Sequence, residues 1–359
     1  MPTVPRLWLF AALLLSLSAC AAPRPMLESP RNLVRRWPEQ PLRPQVEWVK
    51  SVSAPEDAGI AKGFWKRALE LVTGAKKGHI VKPYGVLYDE EGGRLFIADP
   101  GAGVVHVMDT KAGKYSVIAS TAGVPLRSPI GLAQDKEHSL YITDSVSDAV
   151  YRYDLGTGAL SPFLRPVDRP TGIAFNRVSN LLYISETGAN DVIGVDSKGL
   201  TRVRFNSANA VEQLFNHPTD LAVDRKGQVF VTDPLNYKIR TFTPEGTLVS
   251  DFGVMGDARS ELEKPKGVAI DELGRVFLCD AMSDMVKVFN DEGHLLFSIG
   301  QTGTGPGEFW LPSGISISGE FIFVSDTYNR RVQIFRMLAG EPDDDEETSY
   351  DESSTMRTE

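Results

Sequence analysis

From residue 82 to residue 337, short apolar runs alternate with short polar turns, and the alternation repeats. Pro265–Gln301 contains one full unit. Its apolar runs are Gly267–Ile270, Val276–Cys279, Met285–Phe289 and Leu295–Ile299. The first turn is Asp-Glu-Leu-Gly, the second follows Asp280, and the third is Asn-Asp-Glu-Gly. Runs this short, rich in Val, Ile and Phe and bounded by Gly and Asp, predict strands rather than helices. Such strands in series, joined by tight turns, predict one antiparallel meander.

The unit recurs. Opening prolines stand at Pro83, Pro129, Pro170, Pro218, Pro265 and Pro312, spaced by 46, 41, 48, 47 and 47 residues. The second strand recurs as aromatic, β-branched or Leu, small, acid: Phe96–Asp99, Tyr141–Asp144, Tyr183–Glu186, Phe230–Asp233, Phe277–Asp280 and Phe323–Asp326. A period of this length with a four-stranded unit predicts a β-propeller. The expected fold class is all-β: a six-bladed β-propeller of four-stranded antiparallel blades. Pro-x-Gly-Val-Ala, the acid-ended second strand and a third strand such as Arg331–Phe335 together resemble the NHL repeat over about residues 82–337. The resemblance implies the fold and leaves two functions open, because such propellers serve as binding scaffolds and as enzymes.

The two ends of the chain depart from the repeat. The sixth unit has runs at Gly314–Ile317, Phe321–Ser325 and Arg331–Phe335, and no fourth run follows. Pro44–Ser53 has strand composition and aligns with the fourth-strand segment Gly293–Gly300. This N-terminal strand is expected to complete blade six and cover its open edge. Ile60, Phe64, Ala68 and Leu71 recur at helical spacing and Gly74 ends the pattern, which predicts one short amphipathic helix over 60–74. A shorter helix is expected at Asn209–Phe215. The propeller domain is thus placed at 44–338.

Residues 1–19 read as a lipoprotein signal peptide: Arg6, then the apolar run Leu7–Leu17, too short for a spanning helix. Leu17-Ser18-Ala19-Cys20 resembles a bacterial lipobox, which implies lipidation of Cys20 and membrane attachment through it. Ala21 in place of Asp implies the outer membrane, facing the periplasm of the bacterial cell envelope. Residues 20–43 contain prolines at 23, 25, 30, 38 and 41 and read as a Pro-rich tether. Residues 339–359 hold nine acids against the single base Arg357 and read as an acidic disordered tail.

Charge then alters the picture. The net charge is −9, and all but one unit of it sits in that tail, so the propeller is near neutral. This argues against nucleic acid as a partner. The two cysteines, Cys20 and Cys279, have separate roles, so no internal disulfide is expected. Cys279 occupies a small-residue position and reads as packing.

The acids Asp99, Asp144, Glu186, Asp233, Asp280 and Asp326 appear in every unit and read as structural turn acids, because an active site breaks symmetry. The candidate site lies where the units differ. Residues after the opening prolines are Tyr84, Ile130, Thr171, Thr219, Lys266 and Ser313; the next position is Gly in five units and Asp220 in the fourth. Loops on the same face add Tyr237, Trp310, Tyr328 and Arg330. Aromatic, amide and charged groups together suit a binding surface. The candidate binding residues are therefore Tyr84, Thr171, Thr219, Asp220, Tyr237, Lys266, Trp310, Ser313, Tyr328 and Arg330.

No catalytic residue, metal or cofactor is assigned. Of the histidines 79, 106, 138, 217 and 294, only His217 lies near an inner-strand start. A zinc site like that of the amidating lyase needs several. A streptogramin lyase-like propeller needs a channel histidine, and a gluconolactonase-type site needs several channel acids and amides for calcium, where Asp220 stands alone. The reading is a monomeric, lipid-anchored extracytoplasmic scaffold for a protein, peptide or envelope polymer. The alternative is a channel-site enzyme of the lyase or lactonase type.

Overall fold

A computed structural model describes residues 34–61, 78–121, 123–205 and 214–338. Six antiparallel sheets follow one another along the chain and close into a ring. Their innermost strands are Val86–Asp89, Pro129–Gln134, Pro170–Asn176, Asp220–Val223, Pro265–Ile270 and Pro312–Ser318. Each pairs with the acid-ended second strand of its own blade, and the third and fourth strands continue outward. The all-β class and the six four-stranded blades agree with the sequence pattern.

Burial explains why the second strands do not alternate apolar and polar residues. Val276–Asp280, Val229–Asp233 and Ser139–Asp144 are buried along their whole length. Each is sandwiched between neighbouring blades, so both faces must be apolar or internally bonded. The outermost strands are the opposite case: Leu248–Phe252 and Lys114–Ile118 are mostly exposed. Six hydrophobic clusters among the described residues each draw on two adjacent blades.

The ring closes with a strand from the other end of the chain. Val46–Val52 pairs antiparallel with Arg331–Met337, from Val46 opposite Met337 to Val52 opposite Val332. The Trp48 indole N–H donates to Gln333 Oε1 at 3.0 Å, joining residues far apart in sequence. Blade six also carries a fifth strand, Arg36–Trp37, paired with Val46 and Glu47. The tether expected over 20–43 is therefore folded onto the propeller in its last part. The Trp37 ring packs edge-on against Phe335, with centroids 5.7 Å apart. The helix expected over 60–74 lies outside the described residues except for Ile60 and Ala61; Ile60 is buried between blades six and one. Of the segment 209–215 only Leu214 and Phe215 are described, and Phe215 is buried in the blade three–four cluster.

Candidate functional site

The inner strands come closest at the glycine of Pro-x-Gly. A Cβ on Gly85 would meet the Ile130 carbonyl oxygen at 2.1 Å, and one on Gly314 would meet that of Tyr84 at 2.1 Å. Gly131, Gly172 and Gly267 face the next blade in the same way. Only glycine permits this approach, which narrows the channel into a collar. Blade four breaks the collar with Asp220. Its carboxylate accepts a hydrogen bond from the Val268 N–H of blade five at 3.2 Å. The residue is partly buried and lines the channel cavity. Desolvation pushes its carboxyl up to about 7, against the opposing bonds from Leu221 and Val268.

On the side of the inner-strand starts, the collar is topped by Tyr84 and Lys266. Lys266 Nζ sits 5.7 Å from the Tyr84 ring centroid, within cation–π range. Burial pushes the Lys266 ammonium down to about 8, helped by the nearby charges of Lys264 and Lys82. Burial, with Asp220 and Cys279 close by, pushes the Tyr84 phenol up. Beside them Lys82 Nζ lies 5.7 Å from the Tyr328 ring, and Tyr328 packs at 5.6 Å against Trp310. Trp310 and Tyr328 are each about half exposed, at 50% and 49%. Among the described residues, Lys82, Lys264 and Lys266 have no carboxylate within ion-pair distance. Tyr84, Lys266, Trp310 and Tyr328 are thus brought together as a cationic, aromatic mouth.

Three expected binding residues turn inward instead. Thr171 Oγ1 bonds Thr187 Oγ1 and the Thr219 carbonyl, both at 2.6 Å, sewing blade three to blade four. Ser313 Oγ bonds Thr327 Oγ1 at 2.7 Å and reaches the Pro83 and Tyr84 carbonyls, closing blade six onto blade one. Tyr237 packs into the blade four–five cluster. Thr219 lines the channel with a buried hydroxyl that has no partner. Arg330 is exposed, and its backbone is left-handed at φ 55°. That position is Gly103, Asp148, Asn190, Tyr237 and Asp284 in the other blades, all with positive φ. A non-glycine there costs about 1–2 kcal/mol; Tyr237 recovers it by packing, whereas Arg330 is held out to solvent.

The turn acids are buried and tie loops together. Asp99 accepts the Val81, Lys82 and Ala102 amides, and Asp144 accepts those of Arg127, Ser128, Val146 and Ser147. Asp233, Asp280 and Asp326 likewise hold the loop entering their own inner strand. The expected partner, the following turn, supplies only some of these bonds. Most acids also meet a base that the sequence reading missed: His106, Arg204, Arg240, Lys287 and Arg331. Each of these bases lies in a third or fourth strand; for His106 and Lys287 a lone basic residue amid apolar neighbours was the available signal, whereas Arg204, Arg240 and Arg331 stand near other basic residues and gave none.

Chemistry at the channel is limited by its donors. The cavity, about 340 Å³, is walled mainly by Ile, Leu, Val and Ala, with Asp220 as its one carboxylate. Calcium takes six to eight oxygens, and this lining does not fit it. His217 stands at the mouth, with Nδ1 3.0 Å from Asn216 Oδ1, and does not line the cavity.

A relative, Antigen Lp49 of Leptospira interrogans serogroup Icterohaemorrhagiae serovar copenhageni (strain Fiocruz L1-130), is 26% identical over 184 residues. That match covers 48% of this chain and 40% of the length of Lp49. Virginiamycin B lyase from Staphylococcus aureus shares the fold with a TM-score of 0.55 and 15% identity, over 72% of this chain and 96% of the lyase. An auxiliary nutrient binding protein from Bacteroides thetaiotaomicron does so with a TM-score of 0.58 and 14% identity, over 72% and 70%. Residues 82–304, most of the propeller, match the family described as SMP-30/Gluconolactonase/LRE-like region, and the chain belongs to that family.

Proposed function

We propose that this chain is a lipid-anchored, extracytoplasmic propeller with NHL-type repeats that binds an acidic protein, peptide or envelope polymer on its cationic mouth. The observation that carries the reading is the set of unpaired lysines, Lys82, Lys264 and Lys266, interleaved with half-exposed Trp310 and Tyr328. None of the three forms an ion pair among the described residues. Unpaired charge beside exposed aromatic rings supports recognition of an anionic partner. Arg330, held in a costly backbone conformation yet exposed, supports the same face. The shared fold of a lyase and a nutrient binder does not choose between catalysis and binding. The channel's donors favour binding.

The test is capture of crosslinked envelope material by purified variants, each paired with a thermal melt. Lys82→Glu with Lys264→Glu, and Trp310→Ala alone, should each reduce capture at least tenfold with the melt unchanged. Arg330→Gly should weaken capture without lowering stability, since glycine suits that backbone. Capture that survives the double charge reversal would remove the mouth as the binding surface.

A further inference from the structure

The channel beneath the collar has a separate chemistry. Its lining runs from Tyr84, Thr219 and Asp220 at the inner-strand starts to Gln134, Arg177 and Ile317 at their ends. A second cavity adjoins it there and shares Gln134 and Arg177 in its wall. Lys266 and Ser313, on the mouth side, do not line it. The space is therefore a pocket closed by Tyr84 and Asp220, entered from the face opposite the cationic mouth. From Gly314 to Ile317 it is roughly 10 Å deep at about 3.3 Å per residue.

We propose that this pocket binds a slender apolar molecule tipped with a primary ammonium group, which sets its cation against Asp220. Most side chains along the wall are Ile, Leu, Val and Ala, and polar groups, among them Thr219, Asp220, Gln134 and Arg177, share the exposed surface with them. Thr219 and Ser316 belong to its wall, and their hydroxyl oxygens are buried with no hydrogen-bond partner among the described residues. Asp220 is the ionisable group at the closed end. No basic side chain pairs with it among the described residues. The other titratable groups near it are Tyr84 and Cys279, both proton-bearing; Lys266 and Arg169 lie beyond Tyr84. An uncompensated buried carboxyl keeps its proton near neutrality, and a bound ammonium supplies the charge that lets it ionise. Glycine suffices at this place in five blades, so the carboxyl is not required to build the collar. The pocket entrance carries Glu90 and Glu91 together with Lys136 and Arg177, so it presents no uniform barrier to a cation.

The experiment is calorimetric titration of the full chain at pH 7.5 with n-hexylammonium, n-hexanol and hexanoate. It is repeated on Asp220→Gly and Asp220→Asn. Hexylammonium should bind at least tenfold more tightly than hexanol, and hexanoate should not bind. Both variants should lose the tenfold preference. Asp220→Gly should retain the wild-type melt near pH 5, because the other blades use glycine there. Carbon-13 NMR of the Asp220 carboxyl should show its titration midpoint falling by more than one pH unit when hexylammonium is added. Equal binding of hexanol and hexylammonium, an unmoved carboxyl, or a preference that persists in Asp220→Gly would each overturn the assignment. None of these outcomes depends on the partner-binding mouth, which lies on the other face.

Discussion

Asp220 is the residue whose ionisation couples most directly to stability. Its folded carboxyl titrates near 7, raised by desolvation, against an ordinary value of 3.8. Between those values the folded state holds a proton that the unfolded state has released. Stability is thus fully present below about pH 4 and lost as pH rises through 7. At about 1.4 kcal/mol per pH unit, the loss by pH 8 is up to about 4 kcal/mol, less as water in the channel solvates the charge. Asp220→Gly should therefore flatten the decline in unfolding free energy between pH 5 and pH 8, measured by denaturant melts; an unchanged slope would show that Asp220 is already ionised. This residue was legible in the sequence because five glycines frame it. Thr171 and Ser313 were not. Their hydroxyls are consumed by a hydroxyl of their own blade and a carbonyl of the next, and repeat alignment does not show which way a side chain leans across a seam.

At the scale of the strand and its loop, the repeated acids act as latches. Asp280 accepts the Lys264 amide and pairs at 2.8 Å with Lys287, which is almost wholly buried. Removing one partner of such a pair leaves an uncompensated charge and costs about 3–5 kcal/mol. Asp280→Ala should thus lower the melting temperature sharply, and adding Lys287→Met should restore at least half of the loss. If the double variant melts no higher than the single one, the amide bonds rather than the ion pair carry the latch. The loops add a second device. Asp148, Asn190 and Asp284, all left-handed, accept the Arg169, His217 and Leu311 amides of the next blade. Asp and Asn tolerate that backbone and provide the acceptor at once. The strand order and the acid positions were readable from period and residue type. The bases facing the acids were hidden by their strand context, since third strands pair a charged residue with an acid of the second strand only once folded.

At the scale of the molecule, closure decides whether the blades form one body. Every hydrophobic cluster described is shared by two blades, so no blade buries its faces alone. Val46–Val52 seals the last seam. It buries Val46, Trp48, Val49 and Val52 and joins clusters on both sides of blade six. At about 1.5–3 kcal/mol for each large apolar side chain, these contacts rival the 5–15 kcal/mol that typically holds a domain together. Trp37, packed on Phe335 and against Gly307, extends the seal by one strand. Deleting residues 46–52 should therefore expose the Arg331–Met337 edge and abolish the cooperative melt or cause aggregation. Trp37→Ala should cost about 1–3 kcal/mol, because it thins the cover without opening the edge. Deleting 339–359, beyond the last residue of that edge, should leave the melt in place. The three chains can be compared by calorimetry under one condition. Equal melting of the 46–52 and 339–359 deletions would mean that the ring is held by the other seams and that the N-terminal strand only lies against it.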